Sequence, residues 1–220
     1  MAFRADFPSV YSLYKKLLRS YGPQGWWPII KRGRIFYHPK NYECPRNEKE
    51  RFQIIIGALL AQNTSWKNAE KALLSLHCAG LLSFSKLRNA SEKEIARLIR
   101  SSGYYNQKAR RIKNFLEFYP ALRRIASPEK MRESLLSLNG IGPETADSIL
   151  LYAFKQPFFV VDAYTRRFCA AHGICHCDDY EQCRSFFERN LPRDFRIYNE
   201  YHALIVQWGK EQNGIRSKRK

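Results

Sequence analysis

The chain has 220 residues, 45% of them hydrophobic and 14% aromatic, which suffices for one large or two small domains with proper cores. Its formal charge of +18 and pI near 9.8 point to a polyanionic partner. No apolar run is long enough to cross a membrane and no charged-then-apolar leader precedes Phe3-Arg4-Ala5-Asp6, so a secreted or membrane-spanning protein is not expected, and the expected location is cytoplasmic and nucleoid-associated.

Helical periodicity dominates the sequence. Phe7, Val10, Tyr11, Tyr14, Leu17, Leu18 and Tyr21 recur at three- and four-residue steps and predict an amphipathic first helix. From Gly22 to Cys44 the pattern fails, because Pro23, Gly25, Pro28, Gly33 and Pro39 interrupt it, and the segment reads as an ordered, irregular connection. Within it lies Trp26-Trp27-Pro28. Adjacent tryptophans cannot both face one core from a regular helix, so one of them is expected at a surface cavity; the alternative is that the pair seals a junction between domains.

Phe52, Ile55, Ile56, Leu59 and Leu60, with Ile54 and Ala58 on other sides, predict a helix buried nearly all round. Ser91-Glu92-Lys93-Glu94 fits a capping box, and Gly103 can close that helix. Tyr105, Ala109, Ile112, Phe115, Leu116 and Tyr119 share one face of the next helix. Another can start at Ser127 with Pro128 in its first turn, and Tyr201, Leu204, Ile205 and Trp208 mark a last one. There is no strand-like alternation of useful length, and the class is all-α.

The most informative stretch is Leu138-Asn139-Gly140-Ile141-Gly142-Pro143-Glu144-Thr145-Ala146-Asp147. Its breakers confine a hairpin between two helices, and glycines at 140 and 142 leave no side chain between the backbone amides and an approaching phosphate. A tight turn between packed helices is the plain alternative. Basic residues cluster at Lys31-Arg32-Gly33-Arg34, at Lys108, Arg110, Arg111 and Lys113, and in a tail, Arg216 to Lys220, that reads as disordered. Placed on phosphates they would give strongly salt-dependent binding; singly, each is also an ordinary solvated face.

Asp162 follows the apolar run Phe158-Phe159-Val160-Val161, where partial desolvation strengthens its field on a developing positive charge. It can equally be the N-cap of a helix from Ala163 to His172, and the two roles are compatible. Six cysteines without a leader read as reduced thiols. Cys169, Cys175, Cys177 and Cys183, with His172 and His176, could be drawn as a metal site, yet the C-x5-C-x-C-x5-C spacing lacks paired C-x2-C knuckles, and Cys169 reads more simply as core.

Four segments in order carry a resemblance: Leu59-Leu60-Ala61-Gln62-Asn63-Thr64, Gly103-Tyr104-Tyr105-Asn106-Gln107-Lys108-Ala109, the hairpin, and Val160-Val161-Asp162-Ala163-Tyr164. Together they resemble the helix-hairpin-helix DNA glycosylases of the endonuclease III superfamily. The resemblance implies two all-α domains flanking a DNA-binding cleft: a six-helix barrel over residues 49–156 with the helix-hairpin-helix at 128–154, and a domain formed by residues 1–48 and 157–220. It implies a monomer acting on double-stranded DNA that contains a damaged base. It makes Asp162 the catalytic carboxylate, Gln62 the residue filling the gap left by the flipped nucleotide, and Gly140, Ile141, Gly142 and Thr145 contacts to DNA. A plain capping or surface role remains the alternative for Gln62.

Two departures from the family pattern refine these expectations. Bifunctional members carry a lysine just after the second hairpin glycine, where an amine can form a Schiff base with the sugar; the corresponding residue here is Glu144, so a monofunctional glycosylase is expected. Many members also hold an iron-sulfur cluster with C-x6-C-x2-C-x5-C cysteines near the C-terminus. Here the last cysteine is Cys183, so no cluster loop, no metal and no cofactor are expected. With Trp26-Trp27-Pro28 these departures resemble the 3-methyladenine DNA glycosylase III branch, which implies a base pocket of Trp26, Trp27, Pro28, Trp66 and Lys210. Aromatic faces attract a base made cationic by N3 alkylation, whereas a charged Lys210 would repel it. A glycosylase for uracil, mismatched thymine or an oxidised pyrimidine, and a non-catalytic DNA binder, are the alternatives.

Overall fold

The computed structural model describes residues 9–175 and 178–217; Phe7, His176, Cys177 and the last three residues of the basic tail lie outside them. Helix α1 (Val10–Tyr21) is capped by Ser9, whose Oγ accepts from the Ser12 amide at 3.1 Å, and its apolar face carries Leu13, Tyr14 and Leu17 into the core. After Gly22 the chain forms a two-stranded antiparallel hairpin, β1 (Ile29–Lys31) and β2 (Arg34–Phe36), with Ile30 opposite Ile35. The sequence reading called this segment irregular. Strands of three residues are too short to show alternation, and Arg32 and Gly33, both at positive φ, are the two-residue turn that joins them. The all-α class stands, since this hairpin is the one sheet among the described residues.

Helix α2 (Glu48–Ala61) starts at Asn47, which accepts from the Glu50 amide at 3.0 Å, and every residue from Phe52 to Leu60 is buried. It is ringed by β1, by α3 (Trp66–Cys78) and by α6 (Tyr105–Leu122). Its one buried polar side chain, Gln53, accepts from the Ile30 amide at 2.7 Å, which fixes the β-hairpin against the core. Helices α4 (Phe84–Asn89) and α5 (Glu92–Leu98) follow; Ser91 caps α5 through the Glu94 amide at 3.1 Å, and Gly103, at φ +68°, turns the chain into α6. Lys108 departs from expectation. It is buried, donating to the carbonyls of Leu60 (2.9 Å) and Ser102 (2.6 Å), so it closes helix ends inside the fold instead of facing a phosphate. Burial, and the positive charge of Arg111, lower its pKa to about 8.

Helix α7 (Pro128–Leu136) has the expected Ser127 cap and Pro128 in its first turn; α8 (Pro143–Ser148) begins after the hairpin and runs into a wholly buried wide turn, Ile149–Ala153. The extended segment 155–162 leads to α9 (Ala163–His172), α10 (Tyr180–Asn190) and α11 (Phe195–Ser217). Helix α11 packs on both α1 and α9, and its backbone stays helical to Ser217, into the tail read as disordered.

A buried ionic knot ties these parts together. The fully buried Asp147 on α8 receives Arg132 of α7 on both oxygens, at 2.6 and 3.1 Å, and the Tyr180 hydroxyl of α10 at 2.9 Å. Arg184 stands 3.9 Å from the same carboxylate and pairs with Glu188, which accepts the Phe159 amide at 2.9 Å. Removing one partner strands the others without a counter-charge, so Asp147→Ala is expected to cost about 3–5 kcal/mol. Denaturant unfolding checks this against Glu129→Ala, which removes the exposed pair to Arg193 and an exposed bond from the Ser127 hydroxyl and is expected to cost under about 1 kcal/mol.

Candidate active site and the glycine hairpin

Asp162 is the N-cap of α9: its Oδ1 accepts from the Thr165 amide at 2.7 Å and the Thr165 hydroxyl at 3.1 Å. The capping role expected from the sequence is thus taken by Oδ1. Oδ2 faces the Nε2 of His202 on α11 at 3.5 Å, longer than a formed hydrogen bond, and the carboxylate side chain is 15% exposed. On its other side, the His202 ring meets the Tyr152 hydroxyl at 2.6 Å through Nδ1. Burial pushes the Tyr152 pKa well up, so the phenol keeps its proton, and that proton has two acceptors in reach, His202 Nδ1 and the Asn199 carbonyl at 3.5 Å. Burial also pushes the Asp162 carboxyl up, but His202 and the two Thr165 donors outweigh it and hold the group below the usual aspartate range.

Glu144, in the first turn of α8, is close enough to feel this charge: partial burial first, and Asp162 second, push its carboxyl up. The hairpin and Asp162 thus border one region. Beside them a surface cavity of about 460 Å³ is lined by Gln62, Asn63, Arg111, Thr145 and the hairpin itself. Gln62 donates to the Gly140 carbonyl (2.8 Å) and the Thr145 hydroxyl (3.0 Å), and accepts from Arg111 (3.1 Å). Its amide is held by the hairpin, and Asn63, exposed at φ +50°, forms the tip of the turn next to it.

The two glycines have different reasons to be glycine. Gly140 has φ +87°, and a Cβ there would lie 2.2 Å from the Arg111 Nε. Gly142 has an ordinary φ of −88°, and a Cβ there would meet nothing within 4 Å. Nothing inside the molecule forbids a side chain at 142.

Trp26, Trp27 and Trp66 form one cluster, with ring centroids 5.0 to 5.4 Å apart. Trp66 donates from Nε1 to the Tyr37 hydroxyl at 3.0 Å, and Trp27 lies 5.3 Å from Tyr152, so the aromatic wall continues through Tyr152 and His202 to Asp162. Trp27 is buried against α2, where only a glycine fits: a Cβ on Gly57 would sit 2.8 Å from its indole nitrogen. Trp26 lines a cavity of about 160 Å³ with Tyr37, Val206, Gln207 and Lys210, whose Nζ stands 5.5 Å from the Trp26 ring. Desolvation lowers the Lys210 pKa. Pro28 is buried and lines neither cavity. His202, Tyr152 and Tyr37 were missed by sequence reasoning; the available signal was a histidine on the apolar face of the last helix.

The cysteines depart from expectation. The Sγ atoms of Cys169, Cys175 and Cys183 all lie within 4.8 Å of one another, because the left-handed Gly173 turns the chain back from α9 and α10 brings Cys183 alongside. Spacing without C-x2-C knuckles does not prevent convergence when two helices supply the donors, so the expectation of no metal or cofactor is not carried forward. Cys183 is also disulfide-bonded, against the reading of all thiols as reduced. His172 is engaged elsewhere, with Nδ1 on the Phe168 carbonyl at 2.9 Å and its ring against Phe168 and Trp208; His176 and Cys177 lie outside the described residues. Residues 184–220 contain no cysteine, so a cluster at the family's C-terminal position has no donors there.

The family model for HhH-GPD superfamily base excision DNA repair proteins matches residues 56–193. A candidate DNA repair glycosylase of Methanocaldococcus jannaschii, MJ1434, is 42% identical over 93% of this chain and 89% of its own length. Endonuclease III of Thermotoga maritima is 30% identical over 76% of this chain and 77% of its own. Among solved structures, H. pylori 3-methyladenine DNA glycosylase (MagIII) bound to 1,N6-ethenoadenine superposes with a TM-score of 0.72 at 26% identity, covering 93% of this chain and 99% of that one.

Replacing the glycines one at a time separates their roles. Gly140→Ala is expected to destabilise by at least about 1–2 kcal/mol, because the left-handed backbone alone costs that much. Gly142→Ala is expected to stay within about 0.5 kcal/mol of the parent. Thermal unfolding monitored by circular dichroism checks both.

Proposed function

The chain belongs to the HhH-GPD superfamily of base excision DNA repair proteins, and we propose that it is a monofunctional DNA N-glycosylase that releases alkylated purines, 3-methyladenine among them, and leaves an abasic site. The observation that carries this reading is the position of Asp162: a carboxylate kept ionised by its neighbours, between an aromatic cluster and a glycine hairpin. In the proposed reaction the protein acts as a monomer on double-stranded DNA. The hairpin at Gly140, Ile141 and Gly142, with Thr145, holds a phosphate through amides other than that of Ile141, which donates to the Leu138 carbonyl at 3.0 Å, and the glycine at 142 lets the backbone approach. The damaged nucleotide leaves the stack and Gln62 occupies the gap, giving up its bonds to the hairpin to meet the estranged base.

The chemistry then needs little acid assistance. A purine alkylated at N3 is already a cationic leaving group, and Trp26, Trp27 and Trp66 offer electron-rich faces to it. As the glycosidic bond breaks, positive charge grows on the sugar, and the Asp162 carboxylate stabilises it electrostatically. Water is the nucleophile, oriented by the same carboxylate. The position that would bear a Schiff-base lysine holds Glu144, a carboxylate that cannot form an imine.

Excision assays test the proposal directly. Methylated duplex and duplexes carrying uracil, mismatched thymine or oxidised pyrimidines are incubated with the parent and with Asp162→Asn, and free bases are quantified. Release of 3-methyladenine, lowered at least about 100-fold in the variant, is expected. Preferential release of another base would overturn the lesion class, and full activity of the variant would overturn the role of Asp162. Borohydride is expected to trap no protein–DNA adduct; a strong adduct would make the enzyme bifunctional.

The pH dependence follows from the direction of the Asp162 shift. Its folded pKa lies below the ordinary value, so the carboxylate and the activity it supports persist as pH falls through the usual aspartate range, while its stabilising contribution, full above the ordinary value, is lost progressively from there down through the lower folded pKa. Excision at saturating substrate is therefore expected to hold its rate down through that range, provided the chain stays folded. An acid limb centred above the ordinary aspartate pKa would contradict the assignment.

A further inference from the structure

Sulfur atoms from three cysteines converge at a place remote in sequence from the family's cluster loop. Cys169 lies in the last turn of α9 and is fully buried, Cys175 follows the Gly173 turn and is half-buried, and Cys183 is buried on α10. Cys175 and Cys183 Sγ stand 3.9 Å apart, and no pair of the three exceeds 4.8 Å. These distances identify the ion that fits. Sulfurs bound at about 2.3 Å around a tetrahedral zinc ion are separated by about 3.8 Å, the edge of that tetrahedron. An iron-sulfur cube spreads its cysteines by its own width, further than these three are spread.

We propose that Cys169, Cys175 and Cys183 form a zinc–thiolate site that the reduced chain fills and that disulfide formation at Cys183 empties. The present structure, with Cys183 disulfide-bonded, corresponds to the oxidised form. A dithiol reductant opens that disulfide by supplying two electrons and two protons and closes to a disulfide itself. Zinc then binds as the three thiols lose their protons to buffer, leaving one vertex of the tetrahedron to an external ligand. A low-molecular-weight disulfide such as oxidised glutathione runs the exchange backwards: it is reduced to two thiols, the protein disulfide re-forms at Cys183, and zinc is released. The site joins the end of α9 to α10, the helix whose Tyr180 reaches both Asp147 and the Val161 amide, so its occupancy bears on the rigidity of the segment carrying Asp162.

The test uses the full chain, reduced with a phosphine, freed of metal and titrated anaerobically with Co2+ as a spectroscopic stand-in for zinc. One equivalent is expected to produce a thiolate-to-cobalt charge-transfer band and intense tetrahedral visible bands, both abolished by one equivalent of Zn2+. Absence of these bands in the reduced parent would overturn the site without recourse to any variant. Cys169→Ser and Cys175→Ser are expected to lose them while Cys44→Ser and Cys78→Ser keep them; retention in the first pair would also overturn it. Iron and acid-labile sulfide in protein purified under reducing conditions would replace zinc by a cluster. Oxidised glutathione is expected to release the bound zinc to a chelating dye, and retention of the ion would overturn the redox control.

Discussion

The carboxylate of Asp147, buried without any exposure, determines where the other functional groups stand. Taking such a charge out of water costs several kcal/mol, and Arg132 on both of its oxygens, with the Tyr180 hydroxyl, offsets that cost only in one arrangement of α7, α8 and α10. The same hydroxyl accepts the Val161 amide at 3.4 Å, and the next residue is Asp162. A short relay therefore runs from the second hairpin helix, through one tyrosine, to the backbone of the catalytic candidate. Glu188 adds a second hold on the extended segment at the Phe159 amide. The hairpin and Asp162 cannot move apart independently, which is what an enzyme that grips a phosphate and acts on a neighbouring sugar requires.

Asp162 divides its oxygens between fold and chemistry. Capping α9 needs only an acceptor, and asparagine would serve the Thr165 amide about as well as aspartate does, so the helix does not call for a negative charge. The charge is accounted for by the surroundings instead. His202 turns Nε2 toward Oδ2 without closing a short bond, Tyr152 fixes the ring from behind, and the Asp162 side chain keeps a 15% exposure. Such an anion is stabilised yet not neutralised, and it remains available to a positive charge arriving from outside.

Much of this was legible in the sequence where local rules suffice. The all-round apolar pattern of α2, the Ser91 capping box, the Ser127-Pro128 start and the hairpin breakers each depend on a few consecutive residues, and each forms as expected. What was not legible depends on residues far apart in the chain. Lys108 belongs by composition to a basic cluster and by tertiary contact to two buried carbonyls. The cysteine spacing looked wrong for a metal because it was judged along the chain, whereas the sulfurs meet across two helices. The β-hairpin escaped because its strands are shorter than the window in which alternation can be seen.

The contrast between Gly140 and Gly142 separates what the fold needs from what a partner needs. At 140 the left-handed backbone and the Arg111 side chain both exclude a Cβ, and the turn itself explains the residue. At 142 neither does, yet the residue is the N-cap of α8, where unpaired amides and the helix dipole favour an anion. A serine or aspartate would ordinarily cap such a helix from within and consume one of those amides. Glycine leaves them open, and the chain as a whole carries +18. The local backbone and the global charge thus favour the same external ligand, a phosphate of a polyanion set down near the hairpin.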